Sequence, residues 1–128
     1  MAVVSLRASQ NISKGNAVRV GENGAAFLAD ATTLSTAKVL GLSIDNTSVG
    51  NLVRVSTDDE VELDLSNLET GTSLYLLIGP DGTVGTFSDW NAGFASLNAD
   101  AQLTRVGRAL APNKIVVEIE PPQLMTYS

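Results

Sequence analysis

Apolar and polar residues alternate at period two along most of the chain, and Gly, Asn, Asp or Pro cuts the alternation every few residues. That is the pattern of many short, half-buried strands joined by turns. Residues 17–20 lead through Gly21-Glu22-Asn23-Gly24 into 25–29, and Leu52–Ser56 leads through Thr57-Asp58-Asp59 into 60–64. Residues 73–78 lead through Gly79-Pro80-Asp81-Gly82 into 83–86. There Pro presets φ, Asp bonds its own backbone and Gly accepts positive φ, so a third hairpin is expected. Residues 38–44 pass through an Asn-containing turn into Leu52–Ser56, and 104–110 pass through Ala111-Pro112-Asn113 into 114–120. With residues 1–11 as an N-terminal strand or arm, the count is about nine strands, which predicts an all-β fold: a small antiparallel β-barrel or sandwich.

The chain also repeats itself. Ser13-Lys14-Gly15-Asn16-Ala17-Val18-Arg19-Val20 returns as Ser48-Val49-Gly50-Asn51-Leu52-Val53-Arg54-Val55, with six of eight positions identical. Gly71-Thr72-Ser73-Leu74-Tyr75-Leu76 is a looser third copy. Each copy reads as a glycine turn that launches a strand, and the uneven spacing argues against a solenoid. A second echo links Val39-Leu40-Gly41-Leu42-Ser43 with Arg105-Val106-Gly107-Arg108-Ala109. Glycine inside a strand marks a bulge or a close backbone approach. Two places could be helical. Residues 30–36 have room for one turn capped by Asp30, and 87–102 form a long segment of little regular period, read as an aromatic loop near the C-terminal third. No linker divides the chain, so residues 1–128 read as a single β domain. Pro121 and Pro122 stop any ladder, which leaves 121–128 as a tail expected to cross the surface or reach a neighbour.

Composition narrows the function. A length of 128 residues suits one real core, and the apolar runs are far shorter than a membrane span. Residues 1–7 already alternate like a strand, so a secretory leader is not expected and synthesis in the cytoplasm is. The chain has no Cys and no His, which excludes disulfides, thiolate metal sites and the commonest general base. Net charge −6 with scattered Lys and Arg opposes binding to nucleic acid.

Chemistry-bearing patterns are few. Glu60, Glu62 and Asp64 share one face of a strand and could offer oxygen ligands to a divalent cation, but no calcium-loop spacing is present, and a solvated edge explains them better. Lys14, Arg19, Arg54 and Arg105 could pair with that face across strands. No nucleophile elbow or phosphate-cradling loop appears, so neither catalytic residues nor a cofactor site is assigned. The candidates are instead for contact. Phe87, Trp90 and Phe94 sit in the long segment, Val3, Val4 and Leu6 in the opening strand, and Leu124, Met125 and Tyr127 in the tail. The three central aromatics either anchor an interface or plug one end of the barrel.

The order of the signals resembles a family. Residues 12–20, then Val39-Leu40-Gly41-Leu42-Ser43-Ile44, Gly50-Asn51-Leu52-Val53-Arg54-Val55, 68–76, Gly79-Pro80-Asp81-Gly82 and Val106-Gly107-Arg108-Ala109-Leu110, closing with Ile115-Val116-Val117-Glu118-Ile119, are similar to the small β domain of tailed-phage virions. That domain occurs in capsid decoration (cement or head-fibre) proteins and as a module in tail fibres. The resemblance spans about Ile12 to Pro122 and rests on the order of short glycine-anchored motifs. It implies a structural virion protein of a bacteriophage, commonly a homotrimer, bound to the major capsid protein on the outside of the shell. The lack of a long fibre or collar segment favours a compact cement protein. The alternatives are a tail-associated module (fibre or baseplate adaptor) and a carbohydrate-binding adhesion domain, for which only Trp90, Tyr75 and Tyr127 are noted as platforms.

Overall fold

A computed structural model describes residues 3–63 and 68–127. Its first sheet holds β1 (Val3–Arg7), β2 (Ala17–Val20), β3 (Ala26–Leu28), β4 (Gly41–Ser43) and β5 (Leu52–Ser56), in the order β1-β5-β4-β2-β3. A second sheet is built from later strands. These are β6 (Glu60–Glu62), β7 (Ser73–Leu76), β8 (Val84–Gly85), β10 (Arg105–Ala111) and β11 (Lys114–Val117), in the order β6-β11-β10-β7-β8. One helix, α1 (Phe87–Leu97), and strand β9 (Ala101–Leu103) lie between β8 and β10 in sequence, and β12 (Gln123–Met125) pairs with β9. Among the described residues every pairing between these strands is antiparallel, and the fold is all-β with one short α-helix and a 3-10 turn at Glu22–Gly24.

The two five-stranded sheets are one plan used twice. If β6, β7, β8, β10 and β11 stand for β1 to β5 in turn, the two strand orders are identical. The registers agree as well. Val18 faces Gly41 as Leu74 faces Gly107, Arg19 faces Phe27 as Tyr75 faces Gly85, and Val4 faces Val55 as Val61 faces Ile115. Gly41 and Gly107 therefore occupy one structural position, and both are obligatory there. A Cβ would sit 2.0 Å from the Ser56 carbonyl oxygen in the first case and 2.1 Å from that of Val116 in the second. This is the close backbone approach that the strand glycines foretold.

Gly15, Gly50 and Gly71 adopt nearly the same left-handed conformation, at φ of 87°, 91° and 92°. Each also makes the same pair of hydrogen bonds. The glycine amide donates to a carbonyl (Ser43, Ala8 and Ala109 in turn), and the amide of that same residue donates back to the carbonyl after the glycine. The sequence motif thus encodes a turn rather than a place in the fold. The closest copies, 13–20 and 48–55, lead into β2 and β5, whereas the looser copy at Gly71 leads into β7, the counterpart of β2.

The first sheet curls until its margins meet. Beyond β1, Ala8 bridges Ala26, the Ser9 amide donates to the Ala26 carbonyl, and the Leu28 amide donates to Gln10 Oε1. Ala8, Ile12, Val18, Ala26, Val53 and Val55 fill this small barrel. A larger core joins Ala17 and Leu42 of the first sheet to Leu74, Leu76, Ile115 and Val117 of the second. Burial of these side chains is the main source of stability.

Three expectations need correction. Leu52–Ser56 and the strand at 60–62 are not a hairpin; the chain changes sheets there, in a turn where the Ser56 hydroxyl donates to the Asp59 carbonyl and accepts from the Asp59 amide. The segment 87–102 is a helix and a strand, not a loop. The tail does not run free past its prolines, because Gln123–Met125 starts a new ladder with β9. Residues 30–36 form turns, in which the Asp30 carboxylate accepts from the amide and hydroxyl of Thr32.

Candidate interaction surface

Helix α1 begins with a reciprocal cap. Thr86 accepts from the Asp89 amide while the Asp89 carboxylate accepts from the Thr86 amide, and Asn98 ends the helix in a left-handed conformation. The sequence held both signals: Thr86 and Asp89 stand three apart, and Phe87, Trp90, Phe94 and Leu97 recur at helical spacing. Asn91, Gly93 and two serines (Ser88, Ser96) are weak helix formers and hid them.

The helix, the tail and β7 bring five aromatic rings into one row. Tyr75 meets Phe87 edge-on at 5.9 Å, Phe87 stacks on Trp90 at 5.9 Å, Trp90 stacks on Phe94 at 4.9 Å, and Phe94 meets Tyr127 edge-on at 6.0 Å. Trp90 is 1% exposed, and its indole N–H donates to the Gln102 carbonyl at 3.1 Å. It belongs to the packed interior, so any contact made through this row falls to its exposed members. Phe87 is 47% exposed and Tyr127 42%, and outside the row Leu124 of β12 is 62% exposed. The Tyr127 amide donates to Asp100 Oδ1, which pins the tail beside the helix. Met125 is half-buried on β12 opposite Ala101.

Val3, Val4 and Leu6 lie on a different sheet, in β1 at the margin of the first barrel. Val4 and Leu6 share the face of Val55 and Val53, and Leu6 packs against the barrel core, while Val3 and Val4 remain exposed. Exposed apolar residues are concentrated in the first half. Val3, Val4, Val20, Leu34, Val49 and Leu52 all precede β6.

Among the described residues Lys14 reaches the acidic strand, and Arg19, Arg54 and Arg105 are seen with other partners. Lys14 pairs with Glu62 at 3.6 Å. Arg54 grips Asp45 through two hydrogen bonds of 2.9 and 2.8 Å, and that contact holds the Asp45 carboxyl below its ordinary range. Arg105 donates to Glu118 and Glu120, with Arg108 also against Glu118; the Arg105 hydrogen bond lowers the Glu118 pKa most. The Arg19 guanidinium lies over the Phe27 ring, 4.9 Å from its centre. Glu60 and Glu62 are exposed on β6, and Asp64 lies outside the described residues. Among the described residues no helix is long and apolar enough to cross a membrane. No protein-family model and no curated protein matches the sequence.

Proposed function

We propose that this chain is a structural protein of a tailed-phage virion, which decorates the outer capsid surface and stabilises it by bridging major capsid protein subunits. The observation that carries this reading is the ordered set of glycine-anchored motifs from Ile12 to Pro122 that resembles the decoration-domain family. The fold supports it indirectly. Gly15, Gly50, Gly71, Gly41 and Gly107, on which the resemblance hangs, are residues whose backbone positions demand glycine. Two surfaces suit attachment: the exposed β1 strand, and the aromatic row with its exposed ends at Phe87 and Tyr127. The role needs no catalysis and no cofactor, and the acidic surface suits an outer face away from packaged nucleic acid.

In this reading the chain is made in the host cytoplasm and works as a homo-oligomer, of three subunits as the resemblance implies. Binding only to assembled shell stabilises that state by mass action. The test is to dissociate purified particles into heads and tails and follow this chain by peptide mass. Recovery with heads is expected. Recovery with tails alone would overturn the reading in favour of a tail-associated module.

A further inference from the structure

We propose that Asn23 is a self-modification site, at which the chain converts its own asparagine to aspartate and to β-linked isoaspartate through a cyclic imide. What this chemistry needs stands at the tip of the β2–β3 hairpin. Asn23 is the one asparagine followed by glycine, at Asn23-Gly24. Ring closure brings the backbone nitrogen of the next residue onto the side-chain carbon Cγ, and a glycine there has no Cβ to crowd the approach. The site is separate from the attachment surfaces and does not depend on what the chain binds.

Both residues are exposed, in the turn Glu22–Gly24. Asn23 lies at φ 63° and ψ 18° and Gly24 at φ 71°, the left-handed pair that Asn-Gly hairpin turns adopt. At that ψ the Gly24 nitrogen is not aligned with Cγ, so the tip must open before the ring forms. Little holds it shut. The Gly24 amide donates to the Gly21 carbonyl and the Ala25 amide to the Glu22 carbonyl, each at 3.3 Å, longer than an ordinary N–H···O bond. A Cβ on Gly24 would meet nothing within 4 Å, and no hydrogen bond among the described residues engages the Asn23 carboxamide. Below the tip the Gly21 amide donates to the Ala25 carbonyl at 2.9 Å, so the turn can open while the strands stay paired.

Comparable sites are locked. Asp81-Gly82 sets a carboxyl before a glycine in the same way, but Gly82 is buried and its amide donates to the Ala29 carbonyl at 2.8 Å. Asn16 and Asn46 spend Oδ1 on the amides of Ser13 and Lys14, while the amides that follow them, of Ala17 and Thr47, donate to the Gly82 and Ile12 carbonyls. At Asn23 neither the side chain nor the attacking nitrogen is tied in this way.

The reaction consumes water and is redox-neutral. Hydroxide removes the Gly24 amide proton, the nitrogen bonds to Cγ, and Nδ2 departs as ammonia with a proton from solvent. Water then opens the five-membered ring at one of its two carbonyls. Cleavage at Cγ leaves aspartate and one more negative charge beside Glu22. Cleavage at the backbone carbonyl carbon leaves isoaspartate, whose main chain runs through Cβ and Cγ and lengthens the turn by one carbon.

The tryptic peptide 20–38 follows Arg19, ends at Lys38 and holds Asn23 as its one asparagine, so its mass reads this site alone. Folded full-length protein kept in mildly alkaline buffer should convert the peptide to a heavier form that chromatography splits in two. The rate should rise in proportion to hydroxide and run ahead of the other asparagines, whose next residues all carry a side chain. Asn23→Gln should suppress the mass gain, because its ring would need six members. Labelling with an isoaspartyl methyltransferase should mark position 23 in the folded chain, and position 81 only once urea has freed the Gly82 amide. A peptide 20–38 of unchanged mass would overturn the proposal. So would another asparagine converting first, an equal mass gain in Asn23→Gln, or isoaspartate at 81 keeping pace with 23 in the folded chain.

Discussion

Replacing Trp90 by Ala removes the largest fully buried side chain and the centre of the aromatic row. Truncating a buried Trp to Ala costs about 3–5 kcal/mol through lost transfer energy and the cavity left behind. The lost indole hydrogen bond is part of that cost, because the Gln102 carbonyl loses this donor. A net hydrogen bond is worth about 1 kcal/mol, which isolates the polar share. Trp90→Phe should therefore fall well short of Trp90→Ala, since it keeps a ring between Phe87 and Phe94 and loses mainly the N–H. Urea unfolding followed by far-ultraviolet circular dichroism measures both variants against the parent. A Trp90→Ala midpoint corresponding to less than about 1 kcal/mol of lost stability would refute the packing argument. Phe87→Ala, at an exposed end of the row, should cost the isolated protein clearly less than Trp90→Ala.

Gly41→Ala and Gly107→Ala should each destabilise by about 2 kcal/mol or more and by similar amounts, because each places a Cβ against a backbone carbonyl at equivalent positions. Thermal melts that separate the two widely would count against the duplicated plan. Gly50→Ala meets nothing within 4 Å, so it should cost only the left-handed backbone penalty of about 1–2 kcal/mol. Thr86→Ala removes the helix cap and should cost about 1 kcal/mol, again by urea titration. The Asp45 pKa is depressed in the folded state, so its pairing with Arg54 contributes full stability above its ordinary value of 3.8 and loses it as pH falls through the lower folded value. Stability profiles of the parent and Asp45→Asn should accordingly differ at neutral pH and converge in acid.

Much of the fold was legible in the sequence because turn chemistry is local. Positive φ at Gly15, Gly50 and Gly71 and the Pro80-Asp81-Gly82 turn follow from residue type alone. The echo between Gly41 and Gly107 pointed to equivalent strands, since a missing Cβ at close backbone approach leaves a mark that side-chain alternation does not. What escaped was tertiary. Nothing in Thr57-Asp58-Asp59 says whether the chain folds back or moves to another sheet; Val61 is settled by its partner Ile115, more than fifty residues away. The prolines before β12 announce the end of one ladder but are silent about a new one with β9. Of the candidate contact residues, the aromatic group and the tail converge in space, while Trp90 belongs to the interior, a distinction that residue type could not make.

The proposed attachment to a shell can be measured by titrating this chain onto purified tailed-phage heads stripped of it, with bound protein and the heat-disruption temperature of the heads recorded together. Binding should saturate at a symmetric number of sites per head, and the disruption temperature should rise with occupancy. Heads that bind none of the protein, or bind it with no gain in heat resistance while tails take it up, would contradict it.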